Sequence, residues 1–285
     1  MAVSAAKQTV VLIQAPGAVV MPWKKSADAI LMMFLGGEET GTAWARILFG
    51  DEAPAGRLPI MMPLTEADSI KPGTDLNVDY DEGLRTSYRN PSFKDAFPFG
   101  HGLTYTTFEY SQPVLGNCTL EASAPVDAYV CLRLAVRNVG RRAGRTVVQC
   151  YLEMPAEAGY ATPILRGFRK TGIIPANDSE SVLLHFNARE LSFYDPAFQQ
   201  WIVPSHVRAL VGESSRDIRL SMMIKIPQGS SPGPARRWSA FWWLIAVLVA
   251  IAVIVPFISY TVIRRKRDDA SSEDSSAELS SEFSG

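Results

Sequence analysis

The sequence predicts an α/β segment, then an all-β sandwich, then one membrane-spanning helix. Three observations carry that reading. Two continuous apolar runs of strand length, Thr9 to Ile13 and Ala29 to Phe34, each lead into a glycine-containing loop. Roughly seven short strand-like segments separated by turns follow between Leu103 and Leu220, the pattern of an immunoglobulin-like sandwich. From Trp238 to Ile263 there is no charged residue.

Unbroken apolar strands fit a parallel sheet covered on both faces by helices. After the second run Gly36-Gly37 breaks the chain, and Glu38 to Phe49 reads as a helix with acidic residues in its first turn, where they complement the helix dipole. Neither glycine belongs to a phosphate loop, because no Gly-Lys-Ser/Thr follows and GxGxxG is missing. Leu58 to Met62 reads as a further short strand. Pro63 to Phe97 is polar and irregular, a long surface connection expected to pack along both domains. Pro98 to Gly102 is a tight turn that launches a strand over Leu103 to Tyr110. Ala128 to Val139 alternates, Gly140 to Gly144 turns, and Thr146 to Met154 returns; Leu165 to Ile174, Ser181 to Phe186 and Val207 to Val211 supply further strands.

At about 1.5 Å per residue the stretch 238–263 makes a helix of about 39 Å, against a hydrocarbon core of about 30 Å. Trp238, Trp242, Trp243 and Tyr260 lie near its ends, as membrane-interface aromatics do. Arg264-Arg-Lys-Arg267 follows it and only Arg236 and Arg237 precede it, so the C-terminal side is expected in the cytoplasm and the body outside or in a lumen. A tail-anchored protein with a cytosolic body is the rival arrangement, since Met1 to Pro16 does not read as a signal peptide. The expected division is therefore 1–63 incomplete α/β domain, 64–102 connection, 103–222 sandwich, 223–237 stalk, 238–263 span and 264–285 disordered tail.

Across 285 residues the composition, 47% hydrophobic and 20% charged, is that of a folded protein, and a net charge of −1 gives no reason to expect nucleic acid as a partner. Cys150 lies in phase with Val148 and Leu152 and reads as a buried thiol, whereas Cys131 lies on the face opposite Leu132, Leu134 and Val136. A Cys118–Cys131 disulfide across neighbouring strands is allowed. Asn117 and Asn177 head N-glycosylation sequons, and Asn90-Pro-Ser is blocked by its proline.

Three ordered segments resemble the family 3 glycoside hydrolases, especially their β-glucosidase branch: LGGEETGTAWARILFGDEAPAGRLPIMMP at Leu35 to Pro63, DYDEGLRTSYR at Asp79 to Arg89, and FPFGHGLTYTTFEY at Phe97 to Tyr110. Downstream VRNVG, GRTVVQCYLE, LRGFRK and LVGESSRDIRL are similar to the family's fibronectin-III-like domain. The resemblance implies hydrolysis of O-glycosyl bonds. It also implies that the aspartate nucleophile sits on a TIM barrel and the acid/base glutamate lies early in the second domain, both ahead of the stretch matched by this chain. Alone, the chain is thus expected to be inactive, with carbohydrate a partner only when a catalytic barrel completes it.

Candidate residues are weighed against that chemistry. A retaining glycosidase needs two carboxyl groups about 5 to 5.5 Å apart, and the adjacent pairs Glu38/Glu39 and Asp81/Glu82 do not converge on one bond. Glu39 matches a family glutamate at a helix start; Glu82 and Arg85 match its EGLR element. All three are candidates for sugar proximity, with dipole stabilisation and a structural ion pair or loop contact the plainer roles. His101, His185 and His206 are scattered, so no metal site is predicted and no cofactor is expected. Trp44 and Trp201 could stack on sugar, but core packing is the simpler expectation. The competing reading is a non-catalytic surface protein whose sandwich binds a partner or carbohydrate.

Overall fold

The computed structural model describes residues 7–71, 73, 80–120 and 124–226. The predicted span 238–263, the tail 264–285 and the stalk from residue 227 onward lie outside the described residues. Among the described residues no helix is long and apolar enough to cross a membrane.

Both apolar runs form strands. β1 (Val10–Gln14) pairs in parallel with β2 (Ala29–Met33), Val10 opposite Ala29 and Gln14 opposite Met33. Their side chains are less covered than continuous apolarity predicts. Val10 is 48% and Leu12 39% exposed, because among the described residues only one α-helix, α1 (Thr40–Leu48), accompanies this pair. The helix starts two residues later than predicted. Gly37 adopts φ +75°, Thr40 Oγ1 donates to its carbonyl at 2.7 Å, and Glu39 becomes a cap residue whose side chain makes no capping bond. No acidic residue therefore falls in the first helical turn.

The strand expected at Leu58 to Met62 contracts to β3 (Met62–Pro63), which pairs antiparallel with β4 (Asp95–Phe97). Leu58 instead exchanges backbone bonds with the glycine turn, donating to His101 O at 2.9 Å and accepting from Gly100 N at 2.8 Å. Met21, Met62 and Ala96 are buried at the centre of this first domain, with Ile13, Ile30, Met32 and Phe97 packed round them.

The sandwich has two antiparallel sheets. In one, β7 (Val130–Asn138) is flanked by β10 (Ser179–Phe186) on one side and by β5 (Phe108–Tyr110) and β6 (Val114–Gly116) on the other. The other runs in the order β14 (Ile218–Lys225), β13 (His206–Gly212), β8 (Val147–Glu153), β9 (Ile164–Lys170). A separate hairpin joins β11 (Phe193–Asp195) to β12 (Gln200–Ile202). The alternation read in the sequence places Leu132, Leu134 and Val136 from β7 against Val148, Cys150 and Leu152 from β8, all at most 2% exposed.

Cys131 faces away from that core yet is 1% exposed, because Cys118 is disulfide-bonded to it and Gly116 of β6 lies opposite it in the ladder. The strand expected over Leu103 to Tyr110 forms only from Phe108. Leu103 is 76% exposed, and the hydroxyl of Tyr105 donates to Ile47 O of the first domain at 2.7 Å, so this segment bonds across domains instead of along a sheet. The last strand runs to Lys225, beyond the sandwich end expected at 222.

Candidate functional site

The glycine turn is the point where the two domains lock. Gly100 has φ +81°, and a β-carbon there would collide with Gln149 Oε1 and come within 2.9 Å of Tyr151 OH. The absent side chain leaves room for Gln149 Nε2 to donate to Gly100 O at 3.0 Å and Glu213 O at 2.6 Å, while Tyr151 OH donates to Gln149 Oε1 at 2.6 Å. Burial pushes the phenols of Tyr151 and Tyr110 well above the ordinary range, which keeps both as neutral donors.

Beside this knot Arg57 of the first domain donates to Gly102 O, to Thr146 Oγ1 at 2.8 Å and to Glu213 Oε2 at 3.2 Å. The other oxygen of Glu213 accepts from Arg219 Nη1 and from Tyr110 OH, each at 3.2 Å. One carboxylate thus serves two guanidinium groups. This arrangement consumes Glu213 structurally.

Tyr88, from the long connection, stacks on Phe99 at 4.3 Å and meets the edge of Tyr151 at 6.0 Å. Its hydroxyl accepts from Leu165 N at 3.0 Å, and burial raises its pKa. Around it lies a cavity of about 200 Å³ whose lining includes Tyr88, Asn90, Asp95, Tyr151, Thr162 and Arg216. Among the described residues Asp95 is its single carboxylate, held by Arg216 Nε at 2.9 Å. A more open neighbouring groove, lined by Pro59, Ile60, Arg89, Phe99 and Leu165 among others, has no carboxylate among the described residues.

None of the sequence candidates Glu39, Glu82 and Arg85 lines either space. Glu39 sits exposed ahead of α1. Glu82 and Arg85 meet through the backbone in a loop contact, Arg85 N donating to Glu82 O at 2.9 Å. Both lie in a short turn where that contact fixes the loop. His101 stacks on Phe97 at 5.3 Å, and burial, aided by the nearby Arg57 charge, lowers its pKa.

Asn117 and Asn177 are both exposed. Asn117 Oδ1 accepts from Thr119 N at 3.1 Å and Thr119 Oγ1 at 2.7 Å, and Asn177 occupies a left-handed turn at φ 65°. Trp201, expected in the core, is 53% exposed on β12. Among the described residues no group of three or more His, Cys, Asp or Glu side chains could hold a metal ion.

Sequence reasoning missed Arg57, Glu213 and Tyr88 as the joint between domains. It also missed Asp68, a buried carboxylate accepting from Thr65 N at 3.0 Å, Thr65 Oγ1 at 2.6 Å and Lys94 N at 2.9 Å. A Thr-x-x-Asp spacing of capping-box type was the available signal for that last group.

Residues 1–105 match the glycosyl hydrolase family 3 C-terminal domain, and residues 146–215 match the fibronectin type III-like domain. The chain carries these two domains in that order. The β-glucosidase of Rhizobium radiobacter is 35% identical over 232 residues, 76% of this chain and 28% of that protein. The crystal structure of a β-D-glucoside glucohydrolase from Trichoderma reesei superposes with a TM-score of 0.70 at 27% identity, covering 79% of this chain and 34% of that one. DesR, a β-glucosidase from Streptomyces venezuelae solved in complex with D-glucose, gives 0.69 at 31% identity over 79% of this chain and 30% of its own. The chain therefore spans about a third or less of the length of these relatives. Within that span, the family 3 C-terminal domain and the fibronectin-III-like domain are riveted together by Arg57, Glu213, Gln149 and the Gly100 turn.

Proposed function

We propose that this chain is the membrane-anchored scaffold portion of a β-glucosidase-type family 3 glycoside hydrolase, and that it is inactive unless a nucleophile-bearing barrel acts with it. The observation that carries this reading is that, among the described residues, the two spaces beside Tyr88 have one carboxylate between them, Asp95. Double displacement at an anomeric carbon needs one carboxylate to form the glycosyl ester while a carboxylic acid protonates the departing oxygen, then the same group to deprotonate water. Among the described residues Asp95 is the one carboxylate lining its cavity, and it is paired with Arg216.

In this reading the completed protein releases terminal, non-reducing β-glucosyl residues, and these residues brace the barrel without touching the scissile bond. The uncharged stretch 238–263 holds the protein in a membrane, with the Arg264 to Arg267 cluster on the cytoplasmic side and Asn117 and Asn177 on the far side, where they can be glycosylated. The test is an aryl β-glucoside assay of the full chain alone and mixed with a family 3 barrel domain. Turnover only in the mixture supports the proposal. Equal turnover in both overturns it, and glycosidase-insensitive mass from cells removes the orientation.

A further inference from the structure

The registers fix which end of the sandwich is which. Gly212 to Asp217 and the β7–β8 turn lie at the end that meets the first domain: Ser215 N donates to Phe99 O at 2.9 Å and Arg142 Nη2 to Gly50 O at 3.1 Å. Following β13 back from Gly212 to His206, or β7 back from Asn138 to Val130, leads to the opposite end. There Ile226 N donates to Ser205 O at 2.8 Å, so the described chain stops at this far end. The β11–β12 hairpin leaves from the same end, since β10 finishes there with Phe186 opposite Val130 and β12 feeds β13 through Ser205.

That hairpin is firmly mounted but carries an apolar tip. Phe193 is 4% exposed, Arg166 Nη2 donates to Ser192 O at 3.2 Å, and Asp195 Oδ1 accepts from Ala197 N at 2.8 Å to set the turn. Yet Tyr194 is 46%, Trp201 53% and Phe198 71% exposed. Tyr194 meets Trp201 edge-on at 5.7 Å and the Arg189 guanidinium lies over the Trp201 ring at 5.4 Å. Phenylalanine at the tip, tryptophan and tyrosine behind it, and an arginine alongside are the residue types that settle at the boundary between headgroups and acyl chains.

We infer that the β11–β12 hairpin is a membrane-interface contact, with Phe198 inserted among lipid headgroups and Trp201 and Tyr194 at their level. The inference rests on the membrane anchoring proposed above. The occupant follows from where the chain leaves the sandwich: residues 227–237, at most about 40 Å when fully extended, separate Ile226 from the start of the uncharged stretch. A glycan is a poorer occupant, because the Trp201 ring already carries Arg189 and Phe198 offers no hydrogen-bonding group to sugar hydroxyls.

The test uses the full chain with Phe198→Cys, labelled with an environment-sensitive fluorophore and reconstituted into phosphatidylcholine vesicles bearing brominated acyl chains. Cys150 is fully buried and the other two cysteines are disulfide-bonded, so the label goes to position 198. Phe168→Cys is the control, since Phe168 is 67% exposed on β9 toward the end that meets the first domain. Vesicle flotation of both variants with several-fold stronger bromolipid quenching at 198 than at 168 is the expected result. Flotation with equal quenching at both positions overturns the hairpin contact and leaves the anchor intact. A chain that does not float overturns both.

Discussion

Arg57 in the family 3 C-terminal domain and Glu213 in the fibronectin-III-like domain form an ion pair at 3.2 Å, with side chains only 7% and 17% exposed. The two residues lie far apart in sequence, and among the described residues the pair is more buried than the other ion pair between the domains, Arg216 with Asp95. Removing one partner leaves the other desolvated. Arg57→Met is therefore expected to destabilise the chain by about 2–3 kcal/mol, the residual pairing of Glu213 with Arg219 limiting the loss. Urea denaturation of Arg57→Met, Glu213→Gln and the double variant measures it; strict additivity would show that the two side chains are not coupled.

Gly100→Ala combines a strained backbone with a steric clash. At φ +81° a side chain is disfavoured, and its β-carbon meets Gln149 Oε1 and Tyr151 OH. A loss of about 2 kcal/mol or more is expected, with partial recovery when Gln149→Ala removes the obstruction. A thermal midpoint unchanged by Gly100→Ala contradicts the close approach.

Burial pushes the Cys150 thiol up to about 12 from an ordinary 9.0. Its folded pKa exceeds its unfolded one, so the unfolded chain loses the proton first and stability falls as pH rises above about 9. With Cys118 and Cys131 disulfide-bonded, a thiol-specific reagent is expected to find none in the native chain, one after denaturation and three after denaturation with reductant. Two or more reactive thiols in the denatured, unreduced chain would remove the disulfide.

Asp68 shifts in the other direction. The Thr65 hydroxyl, the Lys94 N–H and the Thr65 N–H hold its carboxyl below its ordinary 3.8. The folded pKa is depressed, so the stabilisation is complete above the unfolded value and is lost as pH falls through the folded one. Asp68→Asn is expected to lower the denaturation midpoint at neutral pH, with the gap to the parent chain closing in strong acid. A pH-independent gap would assign the effect to packing alone.

Much of the sandwich was readable because apolar residues recur at every second position of β7 and β8: one face of Leu132, Leu134 and Val136 buries against one face of Val148, Cys150 and Leu152. The failures occur where partners come from elsewhere in the chain. Leu103 to Thr107 has strand-forming residues, but Tyr105 spends its hydroxyl on Ile47 and Gly102 its carbonyl on Arg57. Trp201 resembles a core residue by type, yet a two-stranded hairpin has only one neighbour to cover it. The motif text located Arg57 and Glu213 within matched segments, but nothing local in either says that they meet. For the candidate site, Glu39, Glu82 and Arg85 were legible as motif positions, whereas their absence from the linings of the two spaces beside Tyr88 required the fold.

The most direct measurement of the central proposal, that this chain needs a separate barrel to act, is intact-mass analysis after prolonged incubation of the isolated full chain with a fluorinated, mechanism-based glucosyl reagent. The account predicts an unmodified mass, with labelling confined to an added barrel domain when one is present. A glucosyl adduct on a carboxylate of this chain alone would contradict it.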